Sequence, residues 1–158
     1  MRKKRIQEMK YTDIKIKFFE HGKDLGIPQY MTEGSAGLDL KAAIEDNIIL
    51  RPFERYLIPT GIAIALPNNF EAQIRPRSGL SYKNGVTVLN TPGTIDSDYR
   101  GELKVLLINL GNEDFIIERG ARIAQLVLHK YEKARLIVVD KLDETIRSAN
   151  GYGSTGLK

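Results

Sequence analysis

Residues 70–75 read Phe-Glu-Ala-Gln-Ile-Arg, and the alternation in this segment is the clearest indication of fold class. Its apolar residues Phe70, Ala72 and Ile74 are separated by polar ones, and a Pro-Asn-Asn turn precedes them. Successive side chains of a strand point to opposite faces of the sheet, whereas a helix repeats about every 3.6 residues. The segment therefore predicts a strand with one apolar and one polar face.

The same alternation recurs along most of the chain, as in Ile14-Lys15-Ile16-Lys17-Phe18, and Gly, Pro or Asn separates most of the apolar runs. The one predicted helix is short, with Ser78 as its N-cap and Asn84-Gly85 as its end. Many short strands separated in this way predict an all-β fold, a jelly-roll-like barrel or sandwich with one short helix. The remaining strand candidates are residues 48–50, 56–58, 61–66, 86–89, 103–108, 115–117, 123–130 and 136–139.

Composition excludes several classes of function. The 158 residues suffice for one compact domain, and the absence of cysteine excludes disulfides, thiolate nucleophiles and Cys-ligated metals. The two histidines, His21 and His129, are too few for a multi-His metal site, and we predict that both are surface residues. No apolar run approaches the roughly 20 residues that cross a bilayer, so we expect a soluble, cytoplasmic protein.

Charge and composition divide the chain into three segments. The formal net charge is +4, and residues 1–10 hold five bases and one acid, so the rest of the chain is neutral. We predict a mobile basic extension over residues 1–12, a β domain over 13–140 and a flexible C-terminal arm over 141–158. Nucleic-acid binding or nuclear targeting by the extension is an alternative, but a solvated terminus is the favoured interpretation.

The segment Arg75-Pro76-Arg77-Ser78-Gly79 follows a predicted strand and starts the short helix. It brings a guanidinium group, a hydroxyl group and free N–H groups together. Such a group of donors can bind an anion, or it can cap the helix beside a solvated arginine. The sequence alone favours the two interpretations equally.

Four polar residues stand where they need an explanation. Asp96 and Asp98 point the same way on an extended segment, where they can bind a hard cation, activate a water or, by default, form the turn. Asp39 lies between two leucines at the start of a strand and needs an arginine, backbone N–H groups or a metal-bound water as its partner. Gln125 lies inside an apolar strand, where an amide on the polar face is the default.

The segment 147–156 has too few apolar residues for a core of its own. Gly151, Gly153 and Gly156 have the spacing of a dinucleotide-binding fingerprint, but no strand precedes them, so that interpretation is rejected. The segment also carries an arginine, two hydroxyl groups and a tyrosine, which suit a clamp on a phosphate and a base. Composition alone favours a flexible tail.

In their order and spacing these segments resemble the five motifs of the trimeric dUTP pyrophosphatases, the dUTPases. The resemblance covers residues 14–156, and its second and third motifs are highly specific. The basic extension lies outside it. The motifs are Ala36-Gly37-Leu38-Asp39-Leu40, Pro76-Arg77-Ser78-Gly79-Leu80, Gly93-Thr94-Ile95-Asp96-Ser97-Asp98-Tyr99-Arg100-Gly101 preceded by Asn90, Arg119-Gly120 with Arg122-Ile123-Ala124-Gln125-Leu126, and residues 147–156.

The resemblance implies a jelly-roll-like β subunit in a homotrimer, with three active sites at the subunit interfaces. It implies hydrolysis of dUTP to dUMP and pyrophosphate by Mg²⁺-assisted attack of water on the α-phosphorus. Such an enzyme keeps uracil out of DNA and supplies dUMP for thymidylate synthesis. Neither a membrane nor a nucleic acid is an expected partner.

The resemblance also implies roles for single residues. Asp96 would be the general base that orients the attacking water, and Tyr99 would pack under the deoxyribose and exclude a 2′-hydroxyl. Asp39 would touch the water shell of a Mg²⁺ ion that the triphosphate carries. The implied uracil-reading residues are Asn90, Thr94, Ile95, Asp96 and Lys104, the phosphate-binding residues are Arg77, Ser78, Gly79 and Gln125, and the arm contributes Arg147, Tyr152, Gly153, Ser154 and Thr155.

The fifth motif departs from the family pattern. Ser148 and Asn150 stand at positions that are usually glycine, and Tyr152 replaces a commoner phenylalanine. Asparagine tolerates positive φ and a tyrosine ring still stacks. We therefore expect that the C-terminal arm over residues 141–158 closes over an active site, as the resemblance implies, with altered kinetics.

Two other functions stay open at this point. A dCTP deaminase shares the fold and the trimer but uses a glutamate in the hairpin and releases ammonia. A non-catalytic module that binds a nucleotide or a protein would be expected to lose the base or the Arg-Ser pair. This chain has Asp96 in the hairpin and retains Arg77 and Ser78, which favours pyrophosphate release.

Overall fold

A computed structural model describes residues 11–149. In this part the chain forms eleven β-strands, one α-helix and one 3₁₀ helix, and all strand pairings are antiparallel. The all-β prediction with one short helix is confirmed. The elements are β1 (Lys15–Phe18), the 3₁₀ helix (Glu20–Leu25), β2 (Gly37–Lys41), β3 (Ile48–Leu50), β4 (Arg55–Pro59), β5 (Ile62–Ala65), β6 (Phe70–Arg75), α1 (Ser78–Asn84), β7 (Val86–Val88), β8 (Gly93–Ile95), β9 (Lys104–Asn109), β10 (Phe115–Ile117) and β11 (Arg122–Lys130).

The strands form four small sheets. The largest has the order β2-β11-β6-β8, and it carries most of the predicted site residues. A three-stranded sheet has the order β4-β9-β7, and β1-β5 and β10-β3 form two pairs. Along β11, Gln125 lies opposite Asp39 of β2 and opposite Arg75 of β6. The register of the largest sheet therefore brings three predicted polar positions side by side.

The alternation in β6 has the predicted consequence. Ala72 and Ile74 are buried, while Glu71, Gln73 and Arg75 lie on the other face and are joined there by hydrogen bonds. Apolar side chains from all four sheets meet in one core, so burial of the alternating faces stabilises the whole domain. Fully buried core residues include Leu40, Leu50, Ile58, Leu103, Val105, Leu107, Ile117 and Ile123.

Asn109 is a polar residue inside this core, with no exposed surface. Its amide nitrogen donates to the backbone oxygens of Leu50 and Glu113, both at 2.8 Å, and its amide oxygen accepts from the Gly111 N–H at 2.9 Å. A buried amide is tolerated when its donors and acceptor are satisfied. Asn109 thus joins β3, β9 and the turn that follows β9.

Two predictions of secondary structure are wrong. Residues 136–139 do not form a strand, because no sheet edge of the described chain pairs with them, and their apolar side chains are 54% to 98% exposed. Ser78 is not the N-cap of α1 but its first residue, and Arg77 occupies the N-cap with an extended backbone and no side-chain cap. The predicted end of the helix is confirmed by Gly85, whose φ of 69° is left-handed.

The basic extension and the end of the arm lie largely outside the described residues, so the predicted domain boundaries stay predictions. Within residues 11–149, no helix has the length and apolarity to cross a membrane.

Candidate active site

The junction between β6 and α1 forms one wall of a cavity of about 350 Å³, which we call the cationic cradle. Arg77, Ser78 and Gly79 line it from this junction, and Gln125 lines it from β11. The first helical hydrogen bond is donated by the N–H of Leu80, so the N–H groups of Ser78 and Gly79 precede the helical ladder. The predicted phosphate-binding residues therefore do meet in one place.

An ion-pair network fixes the arginines of the cradle. Asp39 Oδ1 lies 3.3 Å from Arg77 Nε, and Asp39 Oδ2 lies 3.1 Å from Arg122 Nη1. Arg77 Nη1 also donates to the Arg122 backbone oxygen at 3.0 Å. The Asp39 side chain is only 12% exposed, and of the three predicted kinds of partner it has arginine. Arg122 was not predicted as a site residue, since only the need of Asp39 for a partner hinted at it.

The Gln125 amide is fixed by its own contacts. Its Nε2 donates to the Pro76 backbone oxygen at 2.9 Å, which joins β11 to the junction between β6 and α1. Gly37 stands beside it on β2, where a Cβ atom would overlap the amide oxygen of Gln125. The default interpretation of Gln125 as a polar-face amide is thus incomplete, because the side chain lines the cavity.

A second cavity, of about 280 Å³, lies under the loop that follows β8, and we call it the hairpin pocket. β8 pairs with β6 at the edge of the largest sheet. The hairpin pocket lies at one end of this strand pair and the cradle lies at the other end. Its lining residues are Leu57, Thr94, Ile95, Asp96, Tyr99, Glu102, Leu103 and Lys104. Five predicted residues of the nucleoside site therefore lie together.

Backbone contacts hold the tyrosine of the hairpin pocket in place. The Tyr99 hydroxyl donates to the Glu102 backbone oxygen at 3.0 Å, and the Tyr99 N–H donates to the Asp96 backbone oxygen at 3.2 Å. A Cβ atom on Gly101 would overlap the tyrosine ring, so only glycine permits this packing. Arg100 Nη1 closes the turn by donating to two backbone oxygens at 2.7 Å.

The Asp96 carboxylate is exposed and lines a further cavity of about 440 Å³ together with Asp98. The two carboxylates line this cavity together, but residues 97 and 98 form a turn rather than the extended segment on which the prediction rested. Asn90 is exposed and its amide lies beside Gly93, next to the pocket rather than among its lining residues.

The cradle and the hairpin pocket share no lining residue. Arg147 is exposed and lines neither cavity in the described part of the chain. The remaining predicted arm residues, Tyr152, Gly153, Ser154 and Thr155, lie outside the described residues. A single described chain thus assembles the phosphate-binding part and the nucleoside part of the predicted site, but as two separate cavities.

Arg119, from the fourth motif, is a structural residue in this fold. Its guanidinium donates to the backbone oxygens of Ile44 and His21, both at 2.8 Å, and to Asp24 Oδ1 at 2.5 Å. This hydrogen bond lowers the pKa of the Asp24 carboxyl from its ordinary value. Arg119 therefore ties the 3₁₀ helix to the domain.

Both histidines reach the surface, as predicted, but the sequence did not predict a partner for His21. Its side chain is 35% exposed, and Nε2 lies 2.7 Å from Glu102 Oε1 in the wall of the hairpin pocket. His129 is half exposed and lies 3.6 Å from Glu71. Sequence periodicity gave no signal for the His21 contact, because residues 20–25 show no strand alternation and the two partners are 81 positions apart.

The donor set of the cradle indicates how a divalent metal can bind. Among the described residues no three His, Asp or Glu side chains cluster as metal ligands, and both oxygens of Asp39 already face guanidinium groups. Mg²⁺ keeps several waters and takes few protein ligands when phosphates supply the rest. The residues therefore fit an ion that arrives with a polyphosphate.

Comparisons with known proteins agree with this geometry. A sequence model described as dUTPase matches residues 23–156. The deoxyuridine 5′-triphosphate nucleotidohydrolase of Rickettsia prowazekii is 59% identical over 150 residues, which cover 94% of this chain and all of that protein. The enzyme of the same name from Rickettsia felis is 58% identical over 149 residues, with the same coverage.

Solved structures of dUTPases share the fold. A variant of the dUTPase of Staphylococcus bacteriophage 80alpha, solved with dUpNHpp, has a TM-score of 0.79 at 24% identity and covers 93% of this chain and 100% of that one. A dUTPase from phage phi11 of S. aureus, described with a structural Mg(II) ion, has a TM-score of 0.73 at 21% identity and covers 82% and 98%. Since the sequence model spans most of the chain and relatives of nearly equal length share more than half of its residues, the chain belongs to the dUTPase family.

Proposed function

We propose that the protein hydrolyses dUTP to dUMP and pyrophosphate. The observation that carries the proposal is that the chain offers a cationic cradle for a polyphosphate and a hairpin pocket with a carboxylate for a nucleoside. Its 59% identity to a named dUTP nucleotidohydrolase supports the same reaction. The activity would keep uracil out of DNA and supply dUMP for thymidylate synthesis, in the cytoplasm.

The hairpin pocket would recognise deoxyuridine. The backbone from Thr94 to Asp96 and at Lys104, with the amide of Asn90, would read the edge of uracil. A cytosine ring would then leave donors facing donors, and mismatched polar groups can discriminate strongly between substrates. The Tyr99 ring, which the hydrogen bond to Glu102 holds in place, would lie under the deoxyribose and exclude a 2′-hydroxyl.

The chemical step needs one base and a polyanion site. The Asp96 carboxylate would accept a proton from water as the water oxygen bonds to the α-phosphorus. The bond from the α-phosphorus to its bridging oxygen breaks, and pyrophosphate leaves with the electron pair. Arg77, Ser78, Gly79 and Gln125 would hold the departing phosphates, so positioning and electrostatics would provide the rate enhancement.

The substrate would be the magnesium complex of dUTP. Bound Mg²⁺ neutralises phosphate charge and orients the triphosphate. Asp39 would contact the water shell of this ion, and it would also keep the two guanidinium groups of the cradle in place. The low exposure of the Asp39 carboxylate and its place in the cavity wall support both roles.

A homotrimer would complete the site. The cradle and the hairpin pocket share no lining residue within the described chain, so a second copy would bring its own pocket to this cradle. Residues 136–139 are apolar and exposed, which suits burial against another copy. These two observations support the trimer that the family resemblance implies.

The arm would close over the bound nucleotide. Arg147 would supply charge to the phosphates, and Tyr152 would stack on the base. Ser154, Thr155 and the Gly153 N–H would donate hydrogen bonds to the phosphates. Ser148 has a φ of 43°, in the left-handed region that favours glycine. This agrees with the expectation that the serine at this position alters the kinetics of closure.

Release of pyrophosphate from dUTP, dCTP, dTTP and UTP in the presence of Mg²⁺ tests the proposal. We expect rapid release from dUTP alone. Absence of release from all four by the folded protein would favour a non-catalytic module, and ammonia released from dCTP would identify a deaminase.

A further inference from the structure

A hydrogen-bonded histidine–glutamate pair outside the five motifs reaches the hairpin pocket from the 3₁₀ helix. His21 Nε2 lies 2.7 Å from Glu102 Oε1, and Glu102 is a lining residue of that pocket. We infer that His21 and Glu102 are positioning residues that set the affinity of the hairpin pocket for the nucleoside. The inference rests on the proposed function, because it concerns the deoxyuridine part of that site.

Glu102 is held by two donors at once. Its Oε1 accepts from the Gly61 N–H at 2.8 Å as well as from His21, and the side chain is only 14% exposed. A carboxylate that is largely removed from water needs hydrogen-bond partners, and bonds to a charged acceptor are the stronger ones. Loss of the imidazole would leave this carboxylate with one of its two partners.

The backbone of Glu102 holds the tyrosine of the pocket. Its oxygen accepts from the Tyr99 hydroxyl at 3.0 Å. The next residue, Leu103, is fully buried, and its oxygen accepts from the Thr60 hydroxyl at 2.6 Å and from the Thr60 N–H at 3.1 Å. Lys104, which would read the base, follows directly. A displacement of Glu102 would thus move the acceptor for Tyr99 and the backbone next to Lys104.

Close packing fixes the position of the imidazole. Gly22, which follows His21, touches Gly61 so closely that a Cβ atom on either residue would overlap the backbone of the other. The His21 backbone oxygen accepts from Arg119 at 2.8 Å. The 3₁₀ helix therefore presents His21 to Glu102 from a rigid support, which a positioning role requires.

None of these contacts involves a residue of the cradle. Substitution of His21 or Glu102 should therefore weaken binding of the nucleoside and leave binding of the phosphates unchanged. His21→Ala should raise KM for dUTP about ten-fold, which corresponds to the loss of one hydrogen bond to a charged group. Inhibition by dUMP should weaken by a similar factor, and kcat and inhibition by pyrophosphate should stay unchanged. The matched control is Lys23→Ala in the same helix, whose ammonium faces solvent beside Glu20 and which should behave as wild type.

Two isosteric variants keep the test independent of folding. His21→Gln retains an N–H donor and should recover most of the wild-type KM, whereas Glu102→Gln should resemble His21→Ala. Thermal unfolding of each variant reports whether the fold is intact. Wild-type KM and wild-type dUMP inhibition in both His21→Ala and Glu102→Gln would overturn the inference, as would equal weakening by dUMP and pyrophosphate. A wild-type protein that does not hydrolyse dUTP would instead contradict the proposed function, and the inference with it.

Discussion

The cationic cradle and the hairpin pocket are built by different means. In the cradle, the register of the largest sheet sets charged side chains beside each other, and the ion pairs of Asp39 with Arg77 and Arg122 lock them. In the hairpin pocket, a backbone turn forms much of the wall, and hydrogen bonds from side chains to backbone oxygens hold it. Ion pairs to β2 of the largest sheet thus hold the cradle, whereas hydrogen bonds within the loop after β8 hold the hairpin pocket.

This difference has a functional consequence. Binding of phosphates should depend on a few charges and tolerate changes in the loops. Recognition of the nucleoside should depend on exact backbone positions, which remote residues can disturb. Substitutions in the two regions should therefore separate phosphate binding, base recognition and chemistry.

The largest effect is expected from Asp96→Asn. This change removes the proposed general base while keeping the size of the side chain, so turnover of dUTP should fall by about 10²–10⁴-fold and dUTP should still bind. Steady-state kinetics and calorimetric binding would measure the two quantities. Asp98→Asn is the control, since that carboxylate shares the neighbouring cavity but not the hairpin pocket. An equal loss in both variants would mean that the base is assigned to the wrong residue.

Arg77→Ala tests the cradle. It removes a guanidinium that pairs with Asp39 and lines the cavity, so KM for dUTP should rise, and inhibition by pyrophosphate should weaken, by roughly ten- to hundred-fold. Selectivity for dUTP over dCTP should not change. Arg51→Ala is the control, because its guanidinium pairs with Glu54 outside both cavities. A change in base selectivity would show that the two regions are not separable.

Tyr99→Phe tests how the pocket is held. The ring remains but its hydrogen bond to the Glu102 backbone oxygen is lost, so the ratio of kcat/KM for dUTP over UTP should fall by about five-fold. Tyr82→Phe, on the exposed face of α1, should leave that ratio unchanged. An unaltered ratio in Tyr99→Phe would mean that the ring alone, without its hydroxyl, excludes the 2′-hydroxyl.

The smallest effect is expected from Asp24→Asn, which loosens the support of the pocket. Because Arg119 lowers the pKa of Asp24 below 3.8 in the folded state, the ion pair stabilises the protein above that pH. This contribution is lost as the pH falls through the folded-state pKa. The melting temperature of Asp24→Asn should therefore be slightly below wild type at neutral pH and equal to it in strong acid. Asp46→Asn, in an exposed loop, is the control, and a constant difference at all pH values would contradict the assignment.

Local sequence patterns predicted most of the strands and the end of the helix well. The alternation in β6 was visible because Ala72 and Ile74 face the common core, and the end of α1 was visible because Gly85 is left-handed. The hairpin pocket was also predictable from one motif, since most of its lining residues lie between positions 94 and 104, whereas the cradle joins three segments that are distant in the chain.

Contacts between distant segments escaped prediction. The choice of Arg77 and Arg122 as partners of Asp39 depends on the register of three strands. The contact of His21 with Glu102 likewise depends on the approach of Gly22 to Gly61. Residues 136–139 have the pattern of a strand, but a strand also needs a neighbouring edge, which the described chain does not supply.

The central claim is that a cradle from one copy works with a hairpin pocket from another, and subunit mixing tests it most directly. Arg77→Ala and Asp96→Asn chains are each assayed alone at low dUTP, then dissociated together in equal amounts, reassembled and assayed again. If the site is shared, about one quarter of the sites in a random trimer combine an intact cradle with an intact base, and that fraction of wild-type activity should return. Activity that stays at the average of the two separate variants would place the whole site in one chain and contradict the account.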